Sequence, residues 1–331
     1  MLTEDKKLTC SPDGKFRVLM MSDIQECADY SEKSLRSVSA MLDEAKPDLV
    51  IWGGDNCDGH EVHNYDELKA FLDVFTVPMI KRGIPWAHVY GNHDHDAQVD
   101  IALQQELYES YPFCVSGHTD DSVHGKSNFV LPVYDHTGEK VVFNVWGLDT
   151  NNTYHGLDGL VASGDIYGEA IADNNVCQIG DWEVLYFDQL MWYWNTSCAI
   201  EKEHQRKIPG LLCMHIAPVE YKMAYKNPEK YVLEGHYEED LSHGLFNSGL
   251  FSALLQRGDV RTICCGHTHH NDFEAVYCGI RLCWDACAGY SCYGTDTHRG
   301  GRIFDITEQD PWSVKTQMIR TLPLLESAVI L

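Results

Sequence analysis

The chain has 331 residues, with 50 acidic against 25 basic side chains and a formal net charge of −25. A hydrophobic fraction of 44% supports a sizeable core and excludes an intrinsically disordered or collagen-like chain. So acidic a chain lacks the basic footprint that binding to long nucleic acid needs; most of the excess reads as a solvated surface, and part of it is available to cations.

The first seven residues, Met1 to Lys7, are charged and carry no apolar core of a signal peptide. No stretch reaches the ~18 apolar residues of a membrane span. The expectation is a cytoplasmic protein that does not enter a membrane. After the turn signal Ser11-Pro12-Asp13-Gly14, the run Phe16 to Met21 reads as a buried strand. Ser31 to Ala45 places Leu35, Val38, Met41 and Leu42 at helical spacing and stops before Pro47. Asp48 to Trp52 is a second buried strand, Tyr65 to Arg82 a helix stopped by Gly83, and Ile84 to Tyr90 a third strand. This alternation predicts an α/β fold with a parallel sheet and crossover helices.

Farther on, Asn128–Val133 and Val141–Trp146 predict a hairpin around Asp135-His136-Thr137-Gly138. Residues 149–181, rich in Gly, Asp and Asn, predict a long loop, and 224–244 an insertion; both are candidate lids. Trp182 to His204 reads as an amphipathic helix whose aromatics (Trp182, Tyr186, Phe187, Trp192, Tyr193, Trp194) go mostly to the core. Leu211–Met214, Val260–Cys265, Arg281–Ala286, Arg302–Ile306 and Ser313–Ile319 read as strands. With no internal repeat and no linker, residues 1–331 are expected to form a single domain. The 13 cysteines, an odd number without a paired framework, suit free thiols in a reducing compartment. Cys278, Cys283, Cys287 and Cys292 lack a tight Cys-x-x-Cys pair, which favours packing thiols over a zinc site.

The chemistry-bearing residues fall just past predicted strand ends, where α/β folds gather their ligands. They are Asp23-Ile24-Gln25, Gly53-Gly54-Asp55, Gly91-Asn92-His93-Asp94, His215, and Gly266-His267-Thr268-His269. Carboxylates, amides and imidazoles in this mixture suit first-row divalent metals such as Mn, Fe or Zn, and the glycines let the backbone come close to them.

The order Asp-x-x, Gly-Asp-x-x-x-Gly, Gly-Asn-His-Asp, His, Gly-His-x-His resembles the calcineurin-like metallophosphoesterase family. The tail from Gly266 to Phe273, with Cys283 to Gly294, is similar to a subgroup related to the purple acid phosphatases. The resemblance implies a four-layer, α+β-like arrangement, a two-sheet β-sandwich flanked by helices with two divalent metals at the sheet edge. It implies Asp55 as the bridging carboxylate. Asp23, Gln25 and His269 would hold the first metal, and Asn92, His215 and His267 the second. His93 would face the substrate and Asp58 would orient it. The implied reaction is hydrolysis of a phosphate mono- or diester by a metal-bound hydroxide, with His93 assisting the leaving group or the phosphoryl charge. The alternative is a non-catalytic metal-binding scaffold of the same fold.

Two positions depart from the family pattern. Gln25 stands where most members have His, and its harder, neutral oxygen favours Mn²⁺ or Mg²⁺ over Zn²⁺ at the first site. Asp58 stands where the purple enzymes have a tyrosine, which predicts a colourless protein. His95, Asp96, His270, Asn271, Tyr293 and His298 are candidates to line or support the cleft. Arg299 and Arg302 suit bidentate phosphate contacts, though an ion-paired or surface role is the expectation.

Overall fold

The strand Lys15–Met21 (β2) shows how the layers arise. Phe16, Val18 and Met20 point into one apolar cluster, and Leu19 and Met21 into another, as the two-residue period of a strand requires. In this computed structural model, which describes residues 7–152, 182, 185–244 and 247–327, the first cluster lies between two sheets and the second under helices.

After the short strand Leu8–Thr9 (β1) and β2 come the helix Glu32–Ala45 (α1) and the strand Leu49–Gly53 (β3). Helix α1 buries Val38, Met41, Leu42 and Ala45. It ends at Lys46, left-handed at φ 48°, whose amide donates to the Leu42 carbonyl. Where the pattern predicts one helix over 65–82, the structure has two, Tyr65–Phe75 (α2) and Val77–Arg82 (α3), meeting at Thr76. Pro78 lacks an amide hydrogen to continue the first helix and fits the opening turn of the second; Gly83 ends it in the left-handed region.

Strand Trp86–Val89 (β4) leads into the helices Asn92–Asp96 (α4) and Ile101–Ser110 (α5) and the expected hairpin, Phe129–Tyr134 (β5) with Val141–Gly147 (β6). Helix Phe187–His204 (α6) starts five residues later than predicted. The chain continues with strand Gly210–Cys213 (β7), helices Glu220–Tyr225 (α7) and Pro228–Tyr231 (α8), strand Val232–Glu234 (β8) and helix Leu250–Arg257 (α9). Strands Val260–Cys265 (β9), Glu274–Tyr277 (β10), Ile280–Trp284 (β11), Gly300–Thr307 (β12) and Lys315–Arg320 (β13) and helix Thr321–Ser327 (α10) complete it. Of the expected lid 149–181, all but 149–152 lies outside the described residues. The segment 224–244 contains α8 and β8, which adds to a sheet edge beside β10.

One sheet has eight strands in the order β1-β5-β6-β7-β9-β11-β10-β8, and the other five in the order β13-β12-β2-β3-β4. Both are mixed. The expected parallel run is β2-β3-β4, and β6-β7-β9-β11 forms a second one. Met20, Leu49, Ile51, Ala87 and Val89 of the smaller sheet face Phe129, Val145, Leu211 and Cys264 of the larger. Helices α1 to α3 and α5 cover the outside of the smaller sheet, and α6, α7 and α9 that of the larger. The result is four layers, helices on two sheets on helices. Arg302, 1% exposed, crosses from β12 to the Asp272 and Trp284 carbonyls; it holds the layers together, and phosphate cannot reach it.

Register levels the strand ends. Met21 pairs with Trp52, Gly53 with Val89, and Cys213 with Cys264. The loops carrying Asp23, Asp55, Asn92, His215 and His267 therefore leave along one edge of the sandwich.

Candidate metal centre

Asp23 and Asp55 are each 1% exposed and lie at the middle of that edge. His215 Nε2 is 3.1 Å from Asp55 Oδ2 and 3.9 Å from Asp23 Oδ1, and His269 Nε2 is 3.2 Å from Asp23 Oδ1. Asp55, His215 and His267 bring one ligand atom each within 4.8 Å of one another. Ligands bound at 2.0–2.2 Å to one cation lie about 3–3.5 Å apart, so most of these spacings already match a coordination shell.

The buried polar atoms fit that reading. Both nitrogens of His267, Oε1 of Gln25 and Oδ1 of Asn92 are buried without a hydrogen-bond partner among the described residues. An unpaired buried polar atom costs about 1–3 kcal/mol, and a divalent cation would engage several here at once. Burial alone would raise both carboxylates. His215, His93 and His267 around Asp55, and His269 and His215 around Asp23, hold them below the usual range instead. In turn, burial pulls His215 down but Asp55 and Asp23 lift it to about 9. On His267 the same two carboxylates are outweighed: burial and the His215 charge push it to about 3, the neutral state a metal ligand needs.

The backbone is bent to reach this arrangement. Asp23, Gln25, Asp55 and His267 all have positive φ, at 55°, 44°, 49° and 86°, a region side chains other than glycine seldom adopt and one that clusters at functional sites. Loop-to-loop bonds keep it there: the Asp23 amide donates to Gly54 O at 3.0 Å, and the Gln25 amide to Asp55 O at 2.9 Å. Gly54, at φ +92°, has no room for a side chain, since a Cβ would lie 2.5 Å from His215 Nδ1. At Gly266 a Cβ would lie 1.8 Å from Ser22 Oγ. His215 is aimed by a 3.0 Å bond between Nδ1 and Gly53 O, and His269 by a 2.7 Å bond between Nδ1 and Tyr293 O, which leaves Nε2 for the centre in each.

Asp94 plays a role its sequence position did not disclose. Fully buried, it accepts from the amides of Gly91 (2.8 Å), Asn56 and Cys57 (each 3.1 Å), tying the loop after β3 to the loop after β4. Burial, with Asp55 adding, raises it to about 6.

The carboxylate beside His93 is not the expected one. Asp96 Oδ2 lies 3.0 Å from His93 Nδ1, three residues along the short helix α4. Asp58 instead caps the turn Gly59–Glu61, accepting from the His60 amide at 3.2 Å. The helical i, i+3 spacing brings Asp96 onto the ring, while the turn draws Asp58 to the backbone. His60 joins the group, its ring centre 5.2 Å from that of His93.

Other candidates divide. Tyr293 stacks on His269 at 4.0 Å and donates to Glu239 at 3.0 Å. Trp182 is not simply core: its ring meets His267 edge-on at 4.5 Å. His95 lies 3.5 Å from Asp149, and His270 holds Thr295. Asn271 braces Thr268 and the 239 loop. His298 stands apart, stacked on His236. Of the four clustered cysteines, Cys287 and Cys292 come together beside His269, sulfurs 3.3 Å apart. Cys278 is exposed and Cys283 lies in the inter-sheet core. A hydrogen bond with Cys287, then His269 and Arg299, bring the Cys292 thiol down to about 5 against burial.

The family model for calcineurin-like phosphoesterases matches residues 16–271. The chain belongs to that family. Two Arabidopsis thaliana proteins, named probable inactive purple acid phosphatases 14 and 29, are 29% and 27% identical to it over 87% of this chain and 74% and 76% of their own. Phosphatase DCR2 of Saccharomyces cerevisiae is 27% identical over 82% of this chain, which spans 47% of that protein. A dimetal phosphatase from Danio rerio shares the fold at 14% identity, with a TM-score of 0.57 over 92% of this chain and 99% of that one. The described residues include no helix long and apolar enough to cross a membrane.

Proposed function

We propose that this calcineurin-like chain hydrolyses a phosphate mono- or diester with two divalent metals. Asp23, Gln25 and His269 would hold one, Asn92, His215 and His267 the other, and Asp55 would bridge them. The observation that carries the reading is that the loops bearing these residues leave one edge from five strand ends, where Asp23, Asp55, His215, His267 and His269 come together and several buried donor atoms are unpaired. Bound metals would supply an activated water near neutral pH and would neutralise phosphate charge.

The protein's own part falls to His93. Asp96 fixes its Nδ1 at 3.0 Å, so Nε2 is the nitrogen that can donate to a phosphoryl or leaving-group oxygen. The side chain is 26% exposed, open enough for substrate to reach it. The net charge of −25 disfavours long polyanions more than small or singly placed phosphate esters.

A second reading is a metal-binding scaffold, favoured by the word "inactive" in the names of the Arabidopsis relatives. Turnover of p-nitrophenyl phosphate and of bis-p-nitrophenyl phosphate, with metals counted on the same sample, separates the two. Two metals per chain and chelator-sensitive turnover that falls on the order of a thousandfold in Asp55→Asn, about 4 kcal/mol at 1.36 kcal/mol per tenfold, support the hydrolase; His93→Ala should be similarly impaired. Bound metal with no turnover of either ester supports the scaffold.

A further inference from the structure

We infer that Cys292 is a ligand of the first metal, making good the imidazole that Gln25 does not provide. The inference rests on the dimetal reading above and deepens it.

The first site is short of strong donors. Asp23 and His269 face each other at 3.2 Å, Asp55 is shared with the second site, and Gln25 offers one neutral amide oxygen. Cys292 lies on the same side. Its sulfur, that of Cys287 and a His269 ring nitrogen are mutually within 4.8 Å, and Cys292 Sγ is 3.8 Å from the Asp23 carbonyl. The link is built into the chain: the carbonyl of the next residue, Tyr293, accepts from His269 Nδ1 at 2.7 Å. One short segment thus both orients the imidazole and brings the sulfur beside it.

A buried arginine holds the sulfur in place. Arg299 is 3% exposed, and its Nη1 reaches Cys287 Sγ at 3.0 Å and Cys292 Sγ at 3.7 Å, while its Nη2 donates to the Cys292 carbonyl at 2.7 Å. Asp296, exposed at the surface, comes to 3.5 Å of Nε. Arg299 thus grips both sulfurs and the Cys292 carbonyl at once, which fixes the segment that sets Cys292 beside His269. Cys287, which reaches the Asp23 carbonyl at 3.3 Å and Cys292 Sγ at 3.3 Å, is the supporting thiol, much as groups behind a metal ligand orient it. An amide oxygen alone favours a hard ion such as Mn²⁺; a thiolate in the same shell shifts the preference to Zn²⁺ or iron.

The test is zinc and cobalt(II) loading of full-length, chelator-stripped protein kept reduced. Expected are two metals per chain, a zinc–sulfur shell at about 2.3 Å in X-ray absorption, and a sulfur-to-cobalt charge-transfer band. Shell and band should vanish in Cys292→Ser and persist in Cys287→Ser, and Cys292→Ser should weaken one of the two zinc sites by about 10–100-fold, the range seen when a metal's support is cut. Two metals held by nitrogen and oxygen alone overturn the inference and leave the dimetal reading intact. So does a sulfur signal lost only in Cys287→Ser. A chain that takes up neither metal overturns both.

Discussion

The loops leaving the five-stranded sheet carry the oxygen donors Asp23, Gln25, Asp55 and Asn92; those leaving the eight-stranded sheet carry the imidazoles of His215, His267 and His269. The oxygen side is assembled by its own backbone, through Asp23 to Gly54, Gln25 to Asp55 and the buried carboxylate of Asp94. The imidazole side completes itself by reaching across, His215 to Gly53 O and the His267 amide to Asp23. One sheet builds a rigid negative cradle and the other closes over it, and a cation held by both would act as a rivet between them.

That contrast is open to direct tests. The largest effect should come from chelation. At a thousandfold excess over its dissociation constant, each bound metal stabilises the fold by about 4 kcal/mol. Stripping both should lower the melting temperature and speed amide exchange across residues 53–57 and 266–269 together. Exchange that quickens on one side alone would break the rivet picture.

A smaller effect tests the support behind the cradle. His88 on β4 is fully buried, its ring tilted against Tyr108 at 4.1 Å and near Tyr90, with Ser116 on Nδ1 and Gln105 on Nε2. Burial lowers it to about 3, while Gln105 and the Asp149 charge oppose that. A histidine whose folded pKa is depressed contributes stability that is full above its unfolded value near 6.5 and is lost as pH falls toward 3. The loss at pH 5 should be about 2 kcal/mol, at roughly 1.4 kcal/mol per pH unit. Denaturant melts of the wild type and His88→Gln from pH 7 to pH 4 check this; the variant should show a flatter acid limb.

The smallest effect concerns His93. Asp96→Asn should lower turnover about tenfold, or 1.4 kcal/mol, and alter its pH profile. Asp58→Ala should leave that profile unchanged and cost about 1 kcal/mol of stability as a lost cap. The reverse pattern would return the orienting role to Asp58.

The oxygen cradle was also the more legible part of the sequence. Its candidate donors sit in short runs, Gly-Gly-Asp and Gly-Asn-His-Asp, directly after apolar strands whose ends the register brings level; on the imidazole side the Gly-His-x-His run after β9 is as plain, but His215 stands alone after β7. Asp96 was harder to place because its role depends on α4, a helix of five residues too short for a period to show. Cys292 was harder still: no ligand spacing marks it, and only the path from β11 back to β12 carries it to His269. Helix α9, strand β10 and the edge strand β8 do not show in the sequence because eight residues or fewer carry little periodic signal.

The left-handed backbone at Asp23, Gln25, Asp55 and His267 also bears on how such a protein ages in evolution. At each position the chain gives up conformational ease for the sake of a donor atom, as sites under functional strain do. Glycine would relax the backbone and delete the ligand in one step. In the metal-free chain such a change would relieve strain of about 1–3 kcal/mol, so on the proposed reading a lineage no longer selected to hold a cation would keep its four layers while shedding these side chains first.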